Sequence, residues 1–516
     1  MLLSWRYYFS FLAAILCAPL LHAQDCDILI HNATLVDGSG SPPSVGSVCV
    51  AGDRIVSSGS HSNLKGVREI DASGLTVTPG FIDPHTHTLA DLNSEVRRQN
   101  QPYLMQGVTT VITGNDGASA KDIGGTLHAW QAQGIGTNAA LLVGQGTVRA
   151  QVLGMADVKP TPQQLQQMAE LVGRGMADGA IGISTGLYYA PGSYSSTEEV
   201  IALAKVAAQV GGIYDTHLRD ESDYSIGLLG SVRETIRIGR EAGLPVHISH
   251  IKALGKSTWD MSNQVIEEVN RARQSGLAVS ACQYPYVASG TSVGASLLPR
   301  WAEAGGVSAL KERLLNPTDR ARIVSEMERN LERRGGPESL LIISAQDTSL
   351  NRKTLGALAK LKAQSPIDVA LTIIEAGDAA VASFNMSEKD LKNFMRQDWV
   401  MTCSDGSEKH PRKYGTFPRK LRKYVYDEHV LSLPFAVRSS TSLTAQTFHL
   451  KDRGLLKAGY FADITVFDPQ TIRDLATFEK PEELATGIRY VLVNGKLAVD
   501  EGKLTGVLAG RTVTLH

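Results

Sequence analysis

The sequence predicts an α/β protein: a (β/α)8 TIM-like barrel, a small β-sandwich domain formed from both termini, and a mostly helical insertion between the seventh and eighth strands. Eight strand-like apolar runs recur through the 516 residues, and most of them are separated by amphipathic helical patterns. Strands and glycine-containing turns also fill both ends of the chain. Alternating strands and helices favour a parallel sheet, and eight such units favour a closed barrel. Strand count alone does not prove closure, so an open doubly wound sheet is the alternative.

The first 23 residues are typical of a secretory signal peptide. A start that contains Arg6 is followed by the apolar run FSFLAAILCAPLL and by Ala23 before a candidate cleavage point. This order is found in exported proteins, and the apolar run is too short for a comfortable membrane span. An uncleaved membrane anchor is the alternative. We therefore expect an exported protein, periplasmic or secreted, without stable membrane association after cleavage.

Residues 24–78 and 455–516 are predicted to form the small β domain. Runs such as CDILIHNATLVDGSG and GIRYVLVNGKLAVDEGKLTG are apolar and interrupted by turn residues, and VNGK is a hairpin signal. Cys26 and Cys49 lie in two of these strand-like runs. Export would permit a disulfide between them, but two separate buried thiols are equally open, because sequence does not fix connectivity.

The barrel is assigned to residues 79–454. Its helical patterns include TPQQLQQMAELVGRGMADG, which opens with the helix-start signals Thr161 and Pro162 and ends before a glycine. An insertion of about a hundred residues, 290–397, separates the last two strands. Insertions at this end of a barrel often form a lid or a substrate pocket. The eight strand-like runs are 75–87, 109–116, 137–146, 179–187, 211–220, 244–252, 278–286 and 399–407.

Composition limits the choice of partners. The chain is 43% hydrophobic and 20% charged, as in soluble globular proteins, and its formal net charge is -1. This balanced charge gives no reason to expect nucleic acid or an anionic membrane surface as a partner. We expect a small-molecule substrate, and either a monomer or a homodimer.

Six polar side chains lie where predicted barrel strands end, which is the active-site face of such folds. Imidazole and carboxylate groups are ligands of zinc, so their convergence predicts a metal site. The two histidines on the first strand alternate and therefore point to one side. His247 differs in parity from His250 and is expected to face the helices. The six residues are His85, His87, Asp116, His217, His250 and Asp405.

The order of several motifs resembles the metal-dependent amidohydrolase superfamily and, within it, the N-acyl-D-amino-acid deacylase (D-aminoacylase) family. The resemblance covers nearly the whole chain after the predicted signal peptide. PGFIDPHTH and GYFADITVFDP mark the superfamily, whereas STG, THLRDE, SHIK, YPY and HPRKYGTFPR mark the deacylase branch. Many two-metal relatives with cyclic substrates resemble one another in a carboxylated lysine after the fourth strand. Here Ser184 and Thr185 stand at that position, which agrees with the deacylase branch.

Applied to this sequence, the resemblance implies a Zn2+ enzyme with a tight metal site at His217 and His250. A cysteine completes the tight site in well-known members, and this chain has Asp116 in its place. A carboxylate is a harder ligand than a thiolate, yet it still binds zinc. Asp116 is therefore either a ligand or a turn residue, and the identity and number of the metals stay open. A second, weaker site would use His85, His87 and Asp405.

The resemblance implies metal-assisted hydrolysis of an N-acyl-D-amino acid to a carboxylate and a free D-amino acid. Asp405 would act as general base and then general acid, the alternative being a ligand alone. Lys252, Tyr284 and Arg412 match the family's substrate-binding positions, and a planar guanidinium suits the α-carboxylate. Tyr284 and His217 are candidates to stabilise the tetrahedral oxyanion. The competing functions are another amidohydrolase, dihydroorotase-like or dipeptide-hydrolysing, and a catalytically silent scaffold.

Overall fold

A computed structural model describes residues 26–60 and 64–515 of the chain. The predicted signal peptide, residues 1–23, therefore lies outside the described residues. Within the described ranges, no helix has the length and apolar character needed to cross a membrane.

Eight parallel strands form the predicted barrel. One of them is interrupted at Leu142, and its two halves join a three-stranded ladder to a six-stranded ladder. A parallel bridge between Thr86 and Gly406 brings the first and last strands together. The barrel is therefore closed, and the open-sheet alternative is wrong. The strands are Phe81–Thr86, Val108–Thr113, Asn138–Leu141 with Val143–Gly144, Gly182–Gly186, Ile213–His217, Val246–Ile248, Val279–Gln283 and Val400–Thr402.

The predicted first strand, residues 75–87, is two strands that belong to different sheets. Thr76–Pro79 pairs with strands from the chain ends, whereas Phe81–Thr86 starts the barrel. The chain changes sheet at Gly80, where an added Cβ would collide with the side chain of Thr109. Because only glycine fits so close an approach, Gly80 marks the boundary in the sequence.

Helices pack around the barrel, and their start signals operate as predicted. The Thr161 side chain accepts a hydrogen bond from the backbone of Gln164, and the Gln164 side chain accepts one from the backbone of Thr161. This reciprocal cap satisfies two backbone donors that the first helical turn leaves free. The α-helices are Leu89–Leu92, Gln101–Leu104, Ile123–Gln133, Gln145–Leu153, Pro162–Ala177, Thr197–Ala208, Gly227–Ala242, Ser262–Gln274, Glu388–Met395, Arg412–Arg419, Leu433–Ser439 and Ser442–Thr447, with 3-10 turns Gly192–Tyr194 and Lys256–Thr258 and a π-helix Lys420–Asp427.

An apolar cluster fills part of the barrel interior. Strand residues such as Ile82 and Met401 pack there against Phe448. His247 belongs to this interior, since its ring lies 5.1 Å from that of Phe448 and its Nδ1 lies 3.0 Å from Oγ of Ser280. The expectation that His247 faces the helices is therefore wrong.

Strands from both ends of the described chain form one nine-stranded sheet. Thr76–Pro79 pairs in parallel with Cys26–Leu35 on one side and antiparallel with Ile464–Phe467 on the other. A disulfide joins Cys26 to Cys49, with their Cα atoms 5.4 Å apart, so the structure takes the first of the two options left open for these cysteines. The remaining strands are Ser44–Ala51, Arg54–Gly59, Gly66–Asp71, Ile488–Val493, Lys496–Asp500 and Lys503–Leu504.

The insertion folds around a hydrophobic core of its own. Its three antiparallel strands are Ala288–Ser292, Leu340–Ala345 and Ala379–Phe384. The first of them follows the seventh barrel strand closely, so the insertion starts at the carboxyl ends of the barrel strands. Its helices are Val293–Leu297, Gly306–Leu315, Pro317–Arg333, Leu355–Lys362 and Pro366–Glu375, with 3-10 turns Arg300–Glu303, Pro337–Ser339 and Thr348–Leu350.

Candidate metal centre and active site

The six predicted ligands converge at the carboxyl ends of the barrel strands. His85 and His217 lie at the ends of the first and fifth strands, and the other four follow their strands within a few residues. Most of these side chains are buried or nearly so. His87 is the exception, because its side chain is 39% exposed. The cluster is therefore shielded from solvent except on the side of His87, where it faces a cavity.

Three of these residues adopt a left-handed backbone conformation: φ is 55° at Asp116, 33° at His250 and 47° at Asp405. Residues other than glycine rarely do so, and those that do concentrate at functional sites. A left-handed residue also breaks the alternation of side chains along a strand. Residues 247 and 250 would point to opposite faces of a regular strand, yet both side chains point inward. The left-handed backbone at His250 explains this.

Asp116 lies between two pairs of histidines. Its Oδ1 is 3.4 Å from Nε2 of His250 and 3.8 Å from Nδ1 of His217. Its Oδ2 is 3.4 Å from Nε2 of His85 and 3.6 Å from Nε2 of His87. Burial opposes its ionisation, but His85 and His250 hold the pKa of Asp116 well below its usual range. Each carboxylate oxygen thus faces one pair of histidines.

Ser184 positions the loop that contains Asp116. Its hydroxyl donates to the carbonyl of Gly114 at 2.5 Å and accepts from the backbone N–H of Gly117 at 3.1 Å. The fourth strand therefore supplies a hydroxyl that positions the loop of Asp116. Sequence reasoning singled out Ser184 only because no lysine stands there, and the structure gives it a role.

Asp405 connects the first strand to Arg412. Its Oδ1 lies 3.0 Å from Nε2 of His87 and 3.6 Å from Nε2 of His85, and its Oδ2 lies 2.9 Å from Nη1 of Arg412. Burial disfavours the charged form, but the Arg412 guanidinium and then His250 hold the pKa of Asp405 well below its usual range. The carboxylate is therefore ionised at neutral pH.

The donor set fits a divalent cation. Both ring nitrogens of His85 and Oδ1 of Asp116 are buried without a hydrogen-bond partner among the described residues. Such unpartnered buried atoms are rare in proteins, because each forfeits its hydration. Donor atoms of His85, Asp116, His250 and Asp405 lie within 4.8 Å of one another. Imidazole and carboxylate donors at this spacing match zinc and similar ions.

Glu221 is a site residue that sequence reasoning missed. Its carboxylate lies 3.2 Å from Nδ1 of His250 and 3.7 Å from Nε2 of His217, and it accepts from Nζ of Lys252 at 2.5 Å. Burial opposes ionisation, yet Lys252 and then His217 hold the pKa of Glu221 well below its usual range. Carboxylates behind metal-binding imidazoles orient their rings. The available signal was the THLRDE motif, in which Glu221 follows His217 by one helical turn's spacing.

The three predicted substrate-binding residues lie around one cavity. The Arg412 guanidinium is 4.8 Å from the centre of the Tyr284 ring, and Nζ of Lys252 is 5.8 Å from the same ring. Gly290 leaves room for Arg412, because an added Cβ would lie 2.9 Å from its Nη2. The cavity has a volume of about 800 Å³ and is also lined by metal-ligand candidates such as His217. Substrate and metal positions therefore share one space.

Comparison with known proteins agrees with this geometry. A family model described as the Amidohydrolase family matches residues 68–499. The chain belongs to the Amidohydrolase family. This membership confirms the resemblance inferred from the motifs.

Three similar proteins show which amidohydrolases this chain resembles. The D-aminoacylase of Alcaligenes xylosoxydans xylosoxydans is 36% identical over 521 residues, which cover 95% of this chain and 98% of that protein. A D-aminoacylase structure concerned with the functional role of its binuclear metal centre is 34% identical, with a TM-score of 0.82 over 95% of this chain and 100% of that chain. The N-acyl-D-glutamate deacylase of Bordetella bronchiseptica, solved with zinc and a phosphonate that mimics the tetrahedral intermediate, is 27% identical, with a TM-score of 0.82 over 95% and 100% of the two chains.

Proposed function

We propose that this amidohydrolase is a metal-dependent enzyme that hydrolyses N-acyl-D-amino acids to a carboxylate and a free D-amino acid. The observation that supports this most directly is the position of Asp405 between His85, which has unpartnered nitrogens, and the buried guanidinium of Arg412. A base, a cation site and a group that binds carboxylates thus meet in one cavity. The D configuration follows from the relatives, D-aminoacylase and N-acyl-D-glutamate deacylase.

Zinc is the cofactor we propose. Its support is the imidazole and carboxylate donor set, together with zinc in the Bordetella deacylase. The binuclear metal centre of the D-aminoacylase structure supports two metal positions. Of these two we propose that one is tight and one weaker. His217, His250 and Asp116 would hold the tight position. The weaker position would use Asp116 again, with His85, His87 and Asp405.

A metal ion bound there would lower the pKa of water and polarise the scissile carbonyl. Asp405 takes the proton of the attacking water and delivers it to the departing amine. Arg412 binds the α-carboxylate through its planar fork, and Lys252, also near the Tyr284 ring, adds a second cation. Because Arg412 lies 2.9 Å from Asp405, a carboxylate held by Arg412 places the neighbouring amide beside the base. Tyr284 and His217 are our candidates to stabilise the oxyanion.

We also propose that the enzyme is exported, to the periplasm or the medium. The pattern of residues 1–23 supports this, as does the disulfide between Cys26 and Cys49, since such bonds persist in oxidising compartments. A small-molecule substrate is the partner that the cavity accommodates. The oligomeric state, monomer or homodimer, stays a prediction.

The test is release of free amino acid by the zinc-loaded protein from paired N-acetyl-D- and N-acetyl-L-amino acids, with dihydroorotate, hydantoin and dipeptides in the same panel. We expect turnover of D-derivatives only. Asp405→Asn should lower kcat by about 100-fold or more, because the amide cannot accept the proton. Asp398→Asn is the matched control, since Asp398 is exposed just before the same barrel strand.

Two results would contradict the proposal. Turnover confined to cyclic amides or dipeptides would assign another amidohydrolase reaction. A folded, metal-loaded protein that hydrolyses none of these compounds would instead behave as a silent scaffold.

A further inference from the structure

Arg334 is a buried cation that the proposed reaction does not use. It follows the insertion helix Pro317–Arg333, is 2% exposed, and lines the same cavity as the metal-ligand candidates. An arginine side chain stays charged at all ordinary pH values. A charged group at this depth is costly unless an anion accompanies it.

Among the residues that the structure describes, the contacts of Arg334 include no anion. Its Nε donates to the hydroxyl of Tyr224 at 3.0 Å, and its Nη2 donates to the hydroxyl of Tyr188 at 3.1 Å. Its Nη1 is buried and has no hydrogen-bond partner within the described part of the chain. The two tyrosines fix the plane of the guanidinium but leave its charge uncompensated and one edge free.

Two neighbouring arginines, unlike Arg334, have an acidic partner. Arg300, whose guanidinium lies 4.4 Å from the centre of the Tyr188 ring, pairs with Glu303 at 2.5 Å. Arg333, the preceding residue, pairs with Asp223 at 3.2 Å. Acidic partners are therefore present near Arg334, and among the described residues Arg334 alone of these three arginines has none.

The two cationic side chains of the proposed active site also pair with carboxylates. Arg412 lies 2.9 Å from Asp405, and Lys252 lies 2.5 Å from Glu221. Tyr188 connects Arg334 to this region, because its ring is 5.7 Å from that of His217 while its hydroxyl accepts from Arg334. A ligand that extends from the metal centre past Tyr188 would meet Arg334, at a point separate from the α-carboxylate position at Arg412.

We propose that Arg334, held by Tyr188 and Tyr224, binds a second carboxylate of the substrate. This rests on the proposed deacylase function and narrows its substrate class to dianionic N-acyl-D-amino acids. The second carboxylate belongs either to the side chain of the D-amino acid or to the acyl group, since both groups flank the scissile amide. A guanidinium binds a carboxylate in a planar, two-bond geometry, and here it is already oriented before binding.

The experiment compares kcat/KM for four substrates of the zinc-loaded enzyme: N-acetyl-D-glutamate, N-acetyl-D-aspartate, N-succinyl-D-leucine and N-acetyl-D-leucine. We expect kcat/KM for at least one dicarboxylate to exceed that for N-acetyl-D-leucine by about tenfold or more, because a hydrogen bond to a charged group is stronger than one between neutral groups. The first two compounds report a side-chain carboxylate, and the third reports a carboxylate on the acyl group.

The variant Arg334→Met should raise KM for the favoured dicarboxylate by about tenfold or more and leave N-acetyl-D-leucine within about twofold. Arg334→Lys keeps a charge without the planar fork, so it should fall between wild type and Arg334→Met. Arg329→Met is the control, since Arg329 is exposed on the same helix. A structural role for Arg334 would lower activity towards all four substrates equally.

Three outcomes would overturn the proposal. Equal kcat/KM for dicarboxylates and N-acetyl-D-leucine would show that no second carboxylate is bound. A uniform loss in both Arg334 variants would make the residue structural. Failure of wild type to hydrolyse any of the four compounds would remove the proposed function itself, which the first two results leave standing.

Discussion

Nε2 of His250 lies 3.4 Å from Oδ1 of Asp116, while the other oxygen of that carboxylate faces the histidines of the first strand. Asp116 thus lies between the two pairs of histidines. The resemblance to the deacylase family implies a cysteine at this position, whereas this chain has a carboxylate there.

Replacing Asp116 should therefore change metal binding in two directions. Asp116→Cys introduces a soft thiolate and should raise zinc affinity, whereas Asp116→Asn removes the charge and should lower zinc affinity by about tenfold or more. Metal content after dialysis against graded chelator measures both. Asp398→Asn serves as the exposed control. Equal zinc retention in all four proteins would show that Asp116 is not a ligand.

Glu221 should influence metal affinity without binding the metal directly. Glu221→Gln keeps the shape of the side chain but leaves Lys252 without its carboxylate and weakens the contact that orients His250. We expect zinc affinity to fall by about 10- to 100-fold. Competition with a fluorescent chelator gives the affinity, and Glu267→Gln, at an exposed helix position, is the control. Unchanged affinity would contradict this positioning role.

Gly290 should be required for substrate binding because of its distance from Arg412. A methyl group at Gly290 would lie 2.9 Å from Nη2, so the guanidinium must move. We expect Gly290→Ala to raise KM for the substrate by about tenfold, the loss of one charged hydrogen bond. Steady-state kinetics on an N-acyl-D-amino acid measures it. Gly173→Ala, which brings its Cβ no closer than 3.5 Å to Val206, should leave KM unchanged.

Lys420 should make stability depend on pH. Burial lowers the pKa of Lys420 to about 7, and its ammonium donates to Thr402 and Ser439 at 2.6 and 2.9 Å. The unfolded chain keeps a pKa of about 10.4 for lysine. Between these values the unfolded state binds more protons, so the contribution of Lys420 to stability rises with pH from about 7 to about 10.

The check is the melting temperature of wild type and Lys420→Met at several pH values from 6.5 to 10. Each unit of pKa difference corresponds to about 1.4 kcal/mol. The free energy of unfolding of wild type should therefore rise by a few kcal/mol relative to that of the variant as the pH rises. Lys451→Met, at an exposed position, should follow wild type at every pH. Parallel curves for wild type and Lys420→Met would show that this lysine is charged throughout.

The barrel and most of the metal cluster could be predicted because both follow from local pattern. Apolar runs separated by amphipathic helices predicted the eight strands, and the carboxyl ends of those strands meet at one face. His85, His217 and Asp405 could be placed from that rule alone. The position of Asp116 between both histidine pairs could not, since it depends on the distances between strands.

The failures have identifiable physical causes. The orientation of His247 was predicted wrongly from its spacing to His250. The left-handed backbone at His250 interrupts the alternation of side chains on which that prediction depends. Glu221 was missed because it lies beyond the strand end, where only the path of the loop returns it to His250. Arg334 was missed because it belongs to an insertion whose packing on the barrel has no periodic signal.

Pairing between Thr76–Pro79 and Ile464–Phe467 has a consequence for the order of assembly. On the ribosome, the early strand emerges long before its late partner, so one of its edges stays open while the barrel is synthesised. Open edges are sites of unwanted association, and amino-terminal parts of a chain begin to fold first. Protection of this edge therefore depends on a segment that is translated much later, and a nascent chain stalled before residue 464 would be the form most prone to aggregate.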